Sequence, residues 1–218
     1  MTRYRRLLLL ALVASLAACR SRPASPPSQA ASQALAQPVE ERVAGTYVHP
    51  GTGITFPTQA AGFSREKVIR YDRAGDDVSV GYNFAAPTCA VAATVYVTAA
   101  SYFDPAANDA GSPQETREAF LRRYFEANKV EIARHHSGAR LLSEGAASIQ
   151  NPVARTGWKA AFAYTELFAQ AERPLESQLY VFALGRWLIK YRETYPVACA
   201  DEGRRRVADL MSALAWPQ

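Results

Sequence analysis

From Gln178 to Tyr191 the chain reads Gln-Leu-Tyr-Val-Phe-Ala-Leu-Gly-Arg-Trp-Leu-Ile-Lys-Tyr. Gln178, Tyr180, Phe182 and Leu184 alternate with Leu179, Val181 and Ala183. Beyond Gly185-Arg186 the alternation resumes with Trp187, Ile189 and Tyr191. Two apolar runs of period two, separated by two residues that include a glycine, predict a β-hairpin with a tight turn. Strand alternation explains the aromatic residues concentrated here, so most of them are read as core.

The same periodicity extends in both directions. Trp158, Ala160, Phe162 and Tyr164 alternate from Thr156 onward, and Leu141 to Ile149 reads as a further strand. Upstream, Val78, Val80, Tyr82 and Phe84 lie on one face, with Ser79, Gly81 and Asn83 on the other. Ala90 to Ala99 is apolar or β-branched on both faces, as a central strand requires. Phe63 to Tyr71 forms another strand, joined to the next through a turn around Gly75. Short strands around Tyr47 and from Ile54 to Phe56 flank Pro50-Gly51-Thr52-Gly53.

Two segments carry helical spacing instead. Ser112-Pro113-Gln114-Glu115 has the form of a capping box. Leu121, Phe125, Asn128 and Ile132 come next at intervals of four, three and four, and Ser137-Gly138 supplies a left-handed stop. A last helix starts near Asp201 with Gly203, Val207, Leu210, Met211 and Leu214 on one side. Strands, helix, strands, helix predicts an α+β domain, an antiparallel β-sheet covered by helices, over residues 43–218.

The first 19 residues are of a different kind. Arg3, Arg5 and Arg6 precede an apolar run from Leu7 to Leu16, and Leu16-Ala17-Ala18-Cys19 closes it. The run is shorter than the roughly 20 residues that span a bilayer and fits a secretory leader over residues 1–18. Its ending resembles the lipobox of bacterial lipoproteins at all four positions. That resemblance implies cleavage before Cys19, a diacylglyceryl group on its thiol and an acyl chain on its amine. At about 0.8 kcal/mol per buried methylene, several such chains hold a protein to a membrane stably. Arg20 stands where the inner-membrane retention signal has Asp, so the expected location is the outer membrane, facing the periplasm. Residues 19–42 are rich in Pro, Ala, Ser and Gln and lack apolar periodicity, which predicts a disordered tether with a reach of about 25 Å.

Element order brings a second resemblance. A short N-terminal hairpin, an antiparallel sheet, one helix mid-chain and one closing helix are similar to the PsbP-like (Mog-type) α/β/α sandwich. The opening Thr46-Tyr47-Val48 with Gly53-Ile54-Thr55-Phe56-Pro57 echoes such domains locally. The resemblance implies a mostly non-enzymatic, accessory role and carries no site residue over to this chain.

Chemistry is sparse. The formal charge is +5. Three of the basic residues lie in the acid-free leader, so the rest of the chain carries about +2, too little for nucleic acid. His49 stands alone, and His135-His136 are adjacent, at a spacing that turns the rings about 100° apart on a helix. No metal or cofactor is expected. Gly-x-Ser-x-Gly is missing, and Ser79 reads as the outward residue of a strand. Gly51-Thr52-Gly53 lacks the lysine of a phosphate loop. Asp76-Asp77 reads as a turn, Asp201-Glu202 as helix N-terminal charge, and Arg204-Arg205-Arg206 as solvated surface. Cys89 and Cys199 are left once Cys19 is lipidated, and in an oxidising compartment they are expected to pair. The function read from these features is a non-enzymatic accessory or binding lipoprotein, anchored to the membrane through lipid on Cys19, with an envelope partner of unknown identity. The alternatives are a carrier for an apolar ligand such as lipid, which an enclosed apolar cavity would favour, and a periplasmic hydrolase, which a close nucleophile–base pair would favour.

Overall fold

The computed structural model describes residues 34–100, 116–150 and 153–217. The lipobox with Cys19, most of the expected tether and the capping-box serine at 112 lie outside these residues. The elements are β1 (Ala34–Glu41), β2 (Tyr47–Val48), β3 (Thr55–Phe56), β4 (Gln59–Ala60), β5 (Phe63–Asp72), β6 (Asp77–Ala85) and β7 (Ala90–Ala99). After them come α1 (Arg117–His135), β8 (Arg140–Gln150), β9 (Ala154–Phe168), β10 (Ala171–Leu184), β11 (Trp187–Pro196) and α2 (Ala200–Ala213). A 3-10 turn, Val197–Cys199, leads into α2.

The main sheet runs β1-β5-β6-β7-β11-β10-β9-β8, with β4 also paired to β5. Every pairing among the described strands is antiparallel. Two meanders, β5-β6-β7 and β8-β9-β10-β11, meet where β7 pairs with β11. The hairpin expected at Gly185-Arg186 closes with Leu184 opposite Trp187, and Gly185 adopts φ +58°, the left-handed conformation that such turns favour.

Each helix covers one face of the sheet. On one face, Val207, Leu210, Met211 and Leu214 of α2 join Val78, Val80, Tyr82, Ile189, Tyr191 and Phe182 in a single cluster. On the other, Leu121, Phe125 and Ile132 of α1 pack with Phe162, Leu179, Val181 and Leu188. Alternation along β10 makes this possible, since Val181 and Phe182 point to opposite clusters. Burying a side chain such as Phe125 stabilises the fold by about 1.5–3 kcal/mol before entropy is counted. Asn128, the polar member of the α1 stripe, accepts a hydrogen bond from Lys190 Nζ at 2.9 Å. Burial, helped by the neighbouring Arg192, lowers the Lys190 pKa to about 8. An antiparallel sheet covered by helices is therefore the architecture, as the alternation implied.

Three local expectations need correction. Ala34–Glu41, the end of the stretch read as a tether, is an edge strand on β5. Its only apolar alternation is weak, so backbone pairing and the Arg70 Nε–Glu41 Oε1 contact at 2.5 Å hold it. Pro38 is tolerated there because an edge strand has one side free of the ladder. The helix expected to begin at Ser112-Pro113 starts instead after Thr116, whose extended backbone and hydroxyl cap the N–H of Ala119 at 3.2 Å. Ser79 is not an outward residue: it is 4% exposed and shares a 3.0 Å hydrogen bond with the Tyr71 hydroxyl.

Candidate functional site

Where the first turns of α2 pass over the strands β8, β9 and β10, a cavity of about 390 Å³ remains. β10 contributes Glu176, Gln178 and Tyr180, which share a face because they are two residues apart. Lys159 of β9 lies directly opposite Tyr180 in the ladder. Leu142 and Ser143, at an irregular step in the β8 register, form one rim, and Arg204 of α2 forms the other.

Hydrogen bonds preset this wall. Arg204 Nη1 donates to both oxygens of Glu176 at 2.8 Å, and Nη2 donates to Asp201 Oδ1 at 2.6 Å. Glu176 Oε1 also accepts from the Tyr195 hydroxyl at 2.7 Å and from Gln178 Nε2 at 3.2 Å. Gln178 Nε2 donates further to the Tyr195 oxygen at 2.7 Å, and its carbonyl accepts from Tyr180 at 2.5 Å. Burial by itself raises the Glu176 pKa, but the bonds from Tyr195, Arg204 and Gln178 outweigh it and hold the carboxyl below its ordinary value. The hydrogen bond to Glu176 raises Arg204 further, with Asp201 adding to it. Burial raises the Tyr180 and Tyr195 hydroxyls. At neutral pH the wall therefore holds one carboxylate, one guanidinium and two neutral phenols.

Glu193 lies behind this wall. It sits opposite Gln178 on β11, is 0% exposed, and neither of its carboxyl oxygens has a hydrogen-bond partner among the described residues. Burial raises its pKa well above the carboxylate range, against a weaker opposing effect of Arg192. The folded state therefore keeps the proton that the unfolded chain loses above about pH 4.5. Glu193 lowers stability progressively as pH rises from there toward its folded pKa, at about 1.4 kcal/mol per unit. Glu193→Gln is thus expected to melt above the parent at pH 7 and to match it near pH 4 in thermal scans. Equal pH profiles for the two proteins would show that Glu193 ionises inside the fold.

The residues singled out from the sequence lie in several parts of the fold. Cys89, just before β7, and Cys199, just before α2, lie at disulfide distance with Cα atoms 5.7 Å apart, inside the range the bond requires. They pin the strand end to the start of the helix that carries Arg204. Asp201 and Glu202 occupy the first turn of α2 as expected, where they pair with Arg204 and Arg206. That pairing corrects the reading of Arg204-Arg205-Arg206 as a plain solvated run: Arg204 belongs to the pocket, and Arg206 lies over the Phe84 ring at 4.4 Å. His136 stacks on Tyr164 at 4.1 Å and reaches Glu166 at 2.7 Å, which ties the end of α1 to β9. His49 is buried, and its Nδ1 accepts from the Thr52 N–H at 3.0 Å. A second cavity of about 640 Å³ lies beside the start of α1, near the β10–β11 turn, with Arg117, Glu118, Arg155 and Trp158 on its walls.

Sequence reading missed Glu176, Glu193 and Arg204 as a set. A signal was present for one of them: Glu193 interrupts the inward series Trp187, Ile189, Tyr191, Tyr195. No known family's sequence pattern matches this chain, and no curated protein is significantly similar to it.

Proposed function

We propose that this protein is a membrane-anchored envelope lipoprotein whose single domain acts as a non-enzymatic binding or accessory module, with lipid on Cys19 as its tether. The observation that carries the domain's part of this reading is the state of Glu176. A general base works best with a pKa near the operating pH and a free lone pair facing substrate. Glu176 is held ionised and shares its oxygens among Arg204, Tyr195 and Gln178. Such a wall is rigid and preset, which suits recognition more than proton transfer. Both described cavities have charged walls, which argues for a polar ligand over an apolar cargo.

A PsbP-like (Mog-type) sandwich is the finer reading of the fold. It is supported by one helix on each face of the sheet, by the short hairpin of β2 and β3, and by α1 joining the two meanders. The anchor rests on Leu16-Ala17-Ala18-Cys19. Among the described residues no helix is long and apolar enough to cross a membrane.

Cys19→Ser tests the anchor. The substituted protein is expected to lose acylation and to leave the membrane fraction under a high-salt wash, or to persist as an uncut precursor. Flotation with membranes, cut and unacylated, would require another attachment and would overturn the lipoprotein reading. For the binding role, crosslinking of the full-length protein in intact envelopes is expected to yield a defined adduct that Arg204→Ala weakens.

A further inference from the structure

The pocket beside α2 has an imbalance that its internal bonds leave standing. Arg204 is matched by Glu176 across the wall and by Asp201 at the rim. Glu193, the other acid nearby, is kept neutral by burial. Lys159 is different: it lines the cavity and forms no ion pair with any described residue. Among the charged side chains that line the cavity, Glu176 cancels Arg204 and Lys159 is left over. Donors are in surplus as well. The ammonium has three N–H groups, Ser143 has a hydroxyl, and Arg204 retains N–H groups beyond the three bonds it makes. The acceptors of the wall, Glu176 and the Gln178 carbonyl, are already engaged.

We infer that this pocket binds a small monocarboxylate, with the carboxylate on Lys159 and an apolar substituent against Leu142 and Ala161. This rests on the reading of the domain as a binding module and names the ligand class for its site. A single negative charge neutralises the leftover cation. A phosphate dianion would exceed it and would face the Glu176 carboxylate in a half-enclosed space, where like charges repel more strongly than in water. The apolar part of the lining explains the substituent: Ala161, opposite Gln178 in the ladder, and Leu142 offer apolar contact but no hydrogen-bonding side chain. A volume of about 390 Å³ admits a ligand of amino-acid size.

The probe is N-acetylleucine, titrated into the full-length protein in detergent and followed by calorimetry. N-acetylleucinamide, which is isosteric and uncharged, and inorganic phosphate serve as comparisons. The acid is expected to bind and the amide to bind about tenfold more weakly or worse, the usual effect of losing a charged hydrogen bond. Phosphate is expected to bind more weakly than the acid. Lys159→Met is expected to abolish the preference for acid over amide and Lys159→Arg to restore it. Both variants should melt with the parent, because the Lys159 side chain forms no ion pair with any described residue. Equal binding of acid and amide, tighter binding of phosphate, or an undiminished preference in Lys159→Met would each overturn the inference, as would no binding of the acid at millimolar concentration. A specific envelope adduct obtained alongside such a failure would keep the binding-module reading and remove only the carboxylate. Loss of both would remove both.

Discussion

Replacing Cys89 and Cys199 with serine is expected to destabilise the domain by about 4–5 kcal/mol. The two residues are 110 positions apart. A link between them removes from the unfolded chain the many conformations in which a loop of that length stays open, and the gain grows with the logarithm of loop length. The folded state loses little when the link is cut, because Cys89 is already 4% exposed and packed in the α2-face cluster. A loss of this size is a large share of the 5–15 kcal/mol typical of a domain. Urea unfolding of the oxidised parent and the double variant measures it, read as a fall in midpoint. A difference below about 1 kcal/mol would mean that the pair contributes no cross-link. Two thiols titrating in the denatured, unreduced parent would show the same. The effect should also reach the pocket. Cys199 directly precedes α2, and Arg204 stands on the first turns of that helix, so reduction is expected to weaken the crosslinking that depends on Arg204.

Phe182→Ala is expected to cost about 3–5 kcal/mol, the range for removing a fully enclosed aromatic ring. Phe182 is 0% exposed, and its ring lies 6.5 Å from Tyr180, 6.4 Å from Tyr191 and 5.9 Å from Trp216, the last two edge-on. It also fills the space above Gly157, where an added Cβ would meet the ring at 2.6 Å. The surroundings collapse poorly into the hole, because Trp216 is held in place by its own bond to the Tyr191 hydroxyl at 3.0 Å, and Arg155 holds the Pro217 carbonyl at 3.1 Å. Tryptophan fluorescence of the native state is expected to shift as Trp216 loosens. Phe182→Leu keeps most of the volume and is expected to cost about 1.5 kcal/mol or less. An alanine variant as stable as the leucine one would show that the C-terminal segment does not depend on this contact.

Period-two alternation was legible wherever one face of a strand is buried against a helix. Val78 to Phe84 and Gln178 to Tyr191 fall in the structure where that pattern placed them. The outer half of the β9–β10 hairpin was not legible. Thr165 to Phe168 and Ala171 to Arg173 are largely exposed or half-exposed, so selection for burial leaves no pattern in them, and their turn at Ala169-Gln170 uses positive φ without a glycine. β1 escaped for a related reason. Its pairing is carried by backbone groups, which every residue has, and composition alone reads as a linker.

What the sequence determined by itself is local: the strand and helix periods, the α+β order, the motif Leu16-Ala17-Ala18-Cys19, and the presence of Cys89 and Cys199 as a candidate pair. These rest on chemistry within a few residues, or on simple counting. The approach of Cys89 to Cys199, the grouping of Glu176, Arg204 and Tyr195, and the neutral burial of Glu193 were decided only by the tertiary structure. Each joins residues from separate strands and α2, and what a carboxyl does there depends on how much water the packing excludes and which donors it brings within reach. Glu176 and Glu193 are the same residue type on neighbouring strands, yet hydrogen bonds from Tyr195 and Arg204 hold one ionised, while the other, enclosed with no hydrogen-bond partner among the described residues, keeps its proton.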